Sequence, residues 1–162
     1  MAGIKLTLKG FEKMLEDLHA AGGDVDKAAK RAVDEGAKIV EQELKAECAA
    51  SGVPSSVSSE ITTTIEGSGN RYSAKVGWKM GNYNPNDLSA GYKAVFLNYG
   101  TGKRQTKNEN VRAAVYGEWA TLGRNRGQMQ PRGFITRAKE NSRKKMRKVQ
   151  KQILEEALKE LS

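Results

Sequence analysis

Cysteine and histidine are almost absent from this 162-residue chain, and proline is scarce. A single cysteine, Cys48, excludes a disulfide framework and a cysteine-rich zinc site, and suits a reducing compartment. It falls on or beside an apolar helical stripe, where a packed thiol is the expected role. A single histidine, His19, sits next to Leu18 near the end of a predicted helix and offers little to acid–base catalysis. No cluster of His, Asp and Glu has metal-ligand spacing, and nothing around Ser51–Ser59 resembles a nucleophile elbow. No run approaches the ~18 apolar residues of a membrane span. The N-terminal MAGIKLTLKGF lacks the long apolar segment of a secretory signal. These absences point to a protein that is not an enzyme, has no cofactor or metal, and has no membrane partner.

What is present is positive charge, unevenly placed. The net charge is +9. Residues 102–151 hold 15 Lys and Arg against Glu109, Glu118 and Glu140, a net of +12, and the rest of the chain sums to −3. A basic segment of this kind faces a polyanion or an acidic partner, or it is a solvated helix face joined to a mobile loop. Charge alone leaves these open. The candidate cations are Lys103, Arg104, Lys107, Arg112, Arg124, Arg126, Arg132, Arg143, Lys144 and Arg147.

Hydrophobic spacing sets out the elements. Phe11, Met14, Leu15 and Leu18 predict a helix over 8–20. Asp24 caps a second helix, from about Val25 to Cys48. Its stripe, through Ala29, Ala32 or Val33, Gly36, Val40 and Leu44, is rich in small residues, so whatever packs there can come close. SGVPSSVSS, 51–59, reads as a loop or ordered turn. EITTTIE, 60–66, and RYSAKVGW, 71–78, read as a hairpin around GlySerGlyAsn. A polar loop over 80–91 leads to YKAVFLNYG, 92–100, read as a third strand. Val111, Val115, Trp119 and Leu122 suggest a short amphipathic helix, with a loop over 123–133 behind it. A long helix runs from Ile135 to Leu161. The expected fold is α+β: one domain over 1–162, a small antiparallel sheet packed against N-terminal helices and a long C-terminal helix. A basic insertion occupies about 102–130.

GlyThrGlyLys, 100–103, invites comparison with a phosphate-binding loop. That motif needs its first glycine at 97 and a hydroxyl residue at 104, where this chain has Leu97 and Arg104. The nucleotide reading fails on spacing. Nucleic-acid binding rests on weaker ground: Tyr116 and Trp119 lie among basic residues, yet no helix-turn-helix, zinc-finger or RNP signature is present.

Three stretches, AAKRAVDEGAKIVEQELKA at 28–46, FLNYGT at 96–101 and PRGFITRA at 131–138, resemble a family of small siphophage virion proteins, the neck or tail-completion proteins of the head-to-tail junction. The first is the small-residue helix AAKRAVDEGAKIVEQELKA, 28–46, followed by a loop in which Pro54, Ser59 and Ile61 echo the family pattern. The second, FLNYGT at 96–101, is similar to the family's Phe-x-Glu-Tyr/Phe-Gly-Thr, with Asn98 in place of the acid. The third, PRGFITRA at 131–138, is similar to a Pro-x-x-Phe-Leu pattern that opens the last helix. The departure is 102–130, where the family passes from one motif to the next in a few residues.

The resemblance implies a non-enzymatic virion protein, made in the host cytoplasm and placed at the head–tail junction. It implies a homo-oligomeric ring acting as an adaptor beside neck, head-completion and tail-terminator proteins, with passing contact with double-stranded DNA. It makes Phe96, Tyr99, Gly100, Pro131 and Phe134 motif-core residues, with Phe96 and Tyr99 packing on opposite faces of a strand. The long helix and the small-residue helix are the expected ring surfaces. The competing expectation is a sequence-nonspecific nucleic-acid-binding module that uses 102–151.

Overall fold

The computed structural model describes residues 1–82, 88–101 and 128–161, together with the backbone of 113–115 and 118–120. In chain order the elements are β1 (Ala2–Thr7), α1 (Glu12–Ala20), α2 (Val25–Ala50), α3 (Ser55–Ser58), β2 (Thr62–Glu66), β3 (Ser73–Trp78), α4 (Ala90–Tyr99), β4 (Ala113–Val115), β5 (Glu118–Ala120) and α5 (Phe134–Lys159). The class is α+β, as the sequence implied. A three-stranded antiparallel sheet of order β1-β3-β2 lies against α2, and α5 packs along α2 while also meeting β1.

The sheet is not built from the three strands expected. Its third strand is β1, which pairs with β3 from Ala2↔Trp78 to Thr7↔Ser73. The signal was there: Ile4, Leu6 and Leu8 alternate with polar residues, and all three are buried. The strand is short and its partner is some seventy residues away, so no local turn announces the pairing. The hairpin β2–β3 forms as read, with Thr63↔Val76 and Ile65↔Ala74 in register.

The stretch 92–100 is a helix, not a strand. Its apolar run, Val95 to Leu97, is only half-buried, and its inward face is Gly91, Ala94 and Asn98, at helical spacing. That face is small because β3 ends against it. A Cβ on Gly91 would lie 2.6 Å from the Lys79 carbonyl oxygen. The amphipathic helix expected over 111–122 is likewise corrected. Its described residues form two short antiparallel strands, Ala113↔Ala120 to Val115↔Glu118, separated by two residues that include a glycine, which is hairpin spacing.

The helices follow their sequence signals. Asp24 accepts the Lys27 amide at 3.0 Å and caps α2, and α2 runs two residues past its expected end. Its small-residue stripe is buried against the sheet and α5 within the subunit, so it is not free to form a ring contact. Gly36 sets the closeness of α2 and α5: a Cβ there would lie 3.2 Å from both Gln150 Nε2 and Met146 Cγ. Cys48 is fully buried, as the stripe suggested, and burial pushes its thiol pKa up to about 11. Under the sheet, Trp78 and Phe134 meet edge to face at 6.1 Å, and the Trp78 indole donates to the Val57 carbonyl at 2.6 Å. The ordered-turn reading of 51–59 holds through α3, whose Val57 is buried.

Candidate interaction surfaces

The two motifs around 96–101 and 131–138 come together into one joint. At the end of α4 the Leu97 and Asn98 carbonyls accept the Arg132 and Gly133 amides at 3.1 and 3.0 Å. The Asn98 side chain, buried, accepts the Ile135 amide at 2.8 Å and so satisfies an open donor in the first turn of α5. An acid at this position would present the same acceptor oxygen, which makes the Asn98 departure a conservative one. Gly100 turns the chain at φ +73°, with Pro131 nitrogen 2.9 Å from where a Cβ would stand.

The same joint closes the basic insertion at its base. The Thr101 amide donates to the Met129 carbonyl at 3.0 Å, and the Met129 amide donates to the Thr101 hydroxyl at 3.1 Å. The segment between them therefore leaves and rejoins the domain at one point.

The motif-core residues divide. Phe134 is fully buried. Phe96 is half-buried, Pro131 is exposed and Tyr99 is 66% exposed, so neither Tyr99 nor Pro131 is a core residue. The expectation of opposite strand faces for Phe96 and Tyr99 fails because the backbone is helical, and residues three apart then share a side. Since 96–99 is helical, the strand that a phosphate loop requires is missing too.

The candidate cations divide as well. Lys103, Arg104, Lys107, Arg112, Arg124 and Arg126 lie outside the described residues. Arg132 is turned inward on its own chain, donating to the Ser51 and Gly52 carbonyls at 2.9 and 2.7 Å where α2 ends. Arg143, Lys144 and Arg147 lie on α5, and Arg147 donates to the Lys9 carbonyl at 2.7 Å while its guanidinium lies 5.8 Å from the Phe11 ring centre. Acids on the surface of α2 are ion-paired: Glu41 pairs with Lys45 along the helix. Two of them reach across to α5 instead, Glu47 to Arg137 at 2.8 Å and Glu43 to Lys145.

Sequence reasoning did not assign roles to Lys5, Lys9 and Lys139. They join Arg143 and Arg147 around a groove between β1 and α5. The spacing of Lys139, Arg143 and Arg147 at i, i+4 and i+8 was a legible signal for one helix face. Among the described residues no group of three or more His, Cys, Asp or Glu could hold a metal ion. Nor is any described helix long and apolar enough to cross a membrane.

Residues 12–100, more than half of the chain, match a family described as "Bacteriophage HK97-gp10, putative tail-component". The chain belongs to this family. No curated protein and no solved structure matches it. The match to the HK97 gp10-like family spans α1 to α4 and stops at the joint. Strand β1, helix α5 and the basic insertion lie beyond it, and these carry most of the uncompensated charge. As a member of a phage tail-component family, the chain is a virion-associated tail component.

Proposed function

We propose that the protein is an oligomeric adaptor at the head–tail junction, where it completes the neck and helps attach the tail. The observation that carries this reading is the family match over α1–α4, joined to a basic insertion tied down at Thr101 and Met129. An adaptor must hold unlike neighbours on unlike faces. This subunit has such faces: a sheet with two different edge strands, β1 and β2, and a helix α5 whose first half is strongly basic. A ring built from it needs a heterologous contact that closes by rotation. Because the small-residue stripe of α2 is enclosed, that contact falls to other surfaces, of which exposed Tyr99 beside the insertion is the best placed.

The insertion, with six cations against Glu109 and Glu118, then meets an acidic neighbour or passing DNA on assembly. The test removes residues 103–127 and joins the ends with a short linker. Thermal unfolding should show an intact domain, since Thr101 and Met129 already meet. Native mass spectrometry and phage complementation should show weakened assembly and fewer tailed particles. Unchanged assembly and phage yield would defeat the adaptor role for the insertion. Tight DNA binding by the intact monomer, with a steep salt dependence lost in the deletion, would favour the nucleic-acid module instead.

A further inference from the structure

Strand β1 is an edge strand whose described hydrogen-bonding neighbour is β3. Along its other side runs a groove of about 610 Å³, walled opposite by α5. Ile4 and Leu6 of β1, Val40 of α2 and Met146 of α5 make its floor apolar. Its rims carry five cations: Lys5 and Lys9 from the strand side, and Lys139, Arg143 and Arg147 from the helix. Among the described residues none of the five is ion-paired. Glu12 lies near one end, its carboxyl held below the usual range by the Gly10 amide, with Lys9 and Arg147 adding to the effect. Edge lysines alone are a common guard against strand-to-strand aggregation. They do not account for three further cations on the facing helix.

We propose that this groove receives an extended acidic segment of another virion protein, added as a strand to the free edge of β1 with alternate carboxylates set against α5. The virion origin of the partner rests on the tail-component reading; the strand chemistry does not. Three features select this occupant. Free main-chain groups of an edge are satisfied by another strand, which a nucleic-acid duplex cannot supply. The helix cations repeat every four residues, about 6.0 Å along α5. Same-side residues of a strand repeat every ~6.7 Å, so three carboxylates stay within reach of three cations. Arg147 is already fixed in place by Lys9 and Phe11, so its ordering cost is met before binding. The chain's own insertion is basic and cannot complement the groove.

The probe is a blocked heptapeptide of alternating Glu and Val, added to the full-length protein. Fluorescence anisotropy should show salt-sensitive binding, and hydrogen exchange should slow in residues 2–7. The double variant Lys139→Glu/Arg143→Glu, both exposed, should bind about tenfold or more weakly. Lys144→Glu/Lys148→Glu, a charge change on other positions of α5, should bind nearly as well as the parent. The peptide N-methylated at alternate residues, with its charge kept, should fail. Binding of the N-methylated peptide as tightly as the parent overturns strand addition, as does equal loss in both double variants. Absence of peptide binding overturns the groove as a peptide site. None of these outcomes bears on the neck role, which the insertion deletion and complementation test separately.

Discussion

Helices α2 and α5 are both 26 residues long and lie side by side, yet they do different work. Helix α2 carries six acids and five bases, and it is buried from Ala28 to Cys48 by small and aliphatic residues. Several of its charges pair within the helix, as Lys38 does with Asp34 and Glu35. Helix α5 carries nine bases and three acids, and it buries two polar side chains, Ser142 and Gln150, among its apolar contacts. One helix is the wall of the core and nearly neutral. The other closes the core while holding charge in reserve. The lesson is that amphipathic spacing reports which side is buried, while the charge left unpaired on the open side reports where a partner is to be sought.

The comparison breaks most severely at the start of α5. Phe134→Ala should cost about 3–5 kcal/mol in urea unfolding, because it empties a fully buried site against Trp78. Phe96→Ala, at a half-buried position, should cost well under half as much. Equal losses would mean that the core extends under α4 as it does under α5.

The seam between the two helices is next. Gly36→Leu should cost about 1–3 kcal/mol, since Gln150 and Met146 already stand at contact distance. Gln150→Met should act in the opposite direction, by about 1 kcal/mol, because both amide atoms of Gln150 are buried without a partner among the described residues. A loss of stability from Gln150→Met would show that the amide is satisfied, for example by enclosed water.

Asn98→Ala should cost about 1 kcal/mol, a typical loss for a helix cap, and should loosen α5 at its first turn. Hydrogen exchange of the Ile135 amide is the direct measure. The smallest effect belongs to the surface of α2. The Glu41 carboxylate accepts from Lys45 at 2.6 Å and is held below its usual pKa, chiefly by that bond and also by the Thr63 hydroxyl. A carboxyl lowered by folding contributes above its unfolded pKa and loses that contribution as pH falls through the folded one. Lys45→Ala should therefore remove only a few tenths of a kcal/mol at pH 7, and the difference from the parent should vanish in acid below the carboxylate range.

Much of this fold was legible. Asp24, the small-residue stripe, the hairpin around residues 67–70 and the run of α5 all rest on local spacing, and each stands where its spacing put it. The misses share a cause. For 92–100 the apolar run of Val95, Phe96 and Leu97 suggested a buried strand, but the packing surface is the small face of Gly91, Ala94 and Asn98. In the candidate sites, Arg143 and Arg147 were visible as charge, but the groove was not, because half of its wall is β1.

By itself the sequence determined the α+β class, the boundaries of α1, α2 and α5 to within a few residues, the failure of the phosphate-loop spacing, and the position of the excess positive charge. These depend on side-chain order over one or two turns of chain. Only the tertiary structure decided that β1 completes the sheet, that α4 is a helix, that Asn98 caps α5, and that Lys5, Lys9 and Arg143 line one groove. Each of these joins residues tens of positions apart, and a contact of that kind is fixed by packing and main-chain pairing that no local pattern encodes.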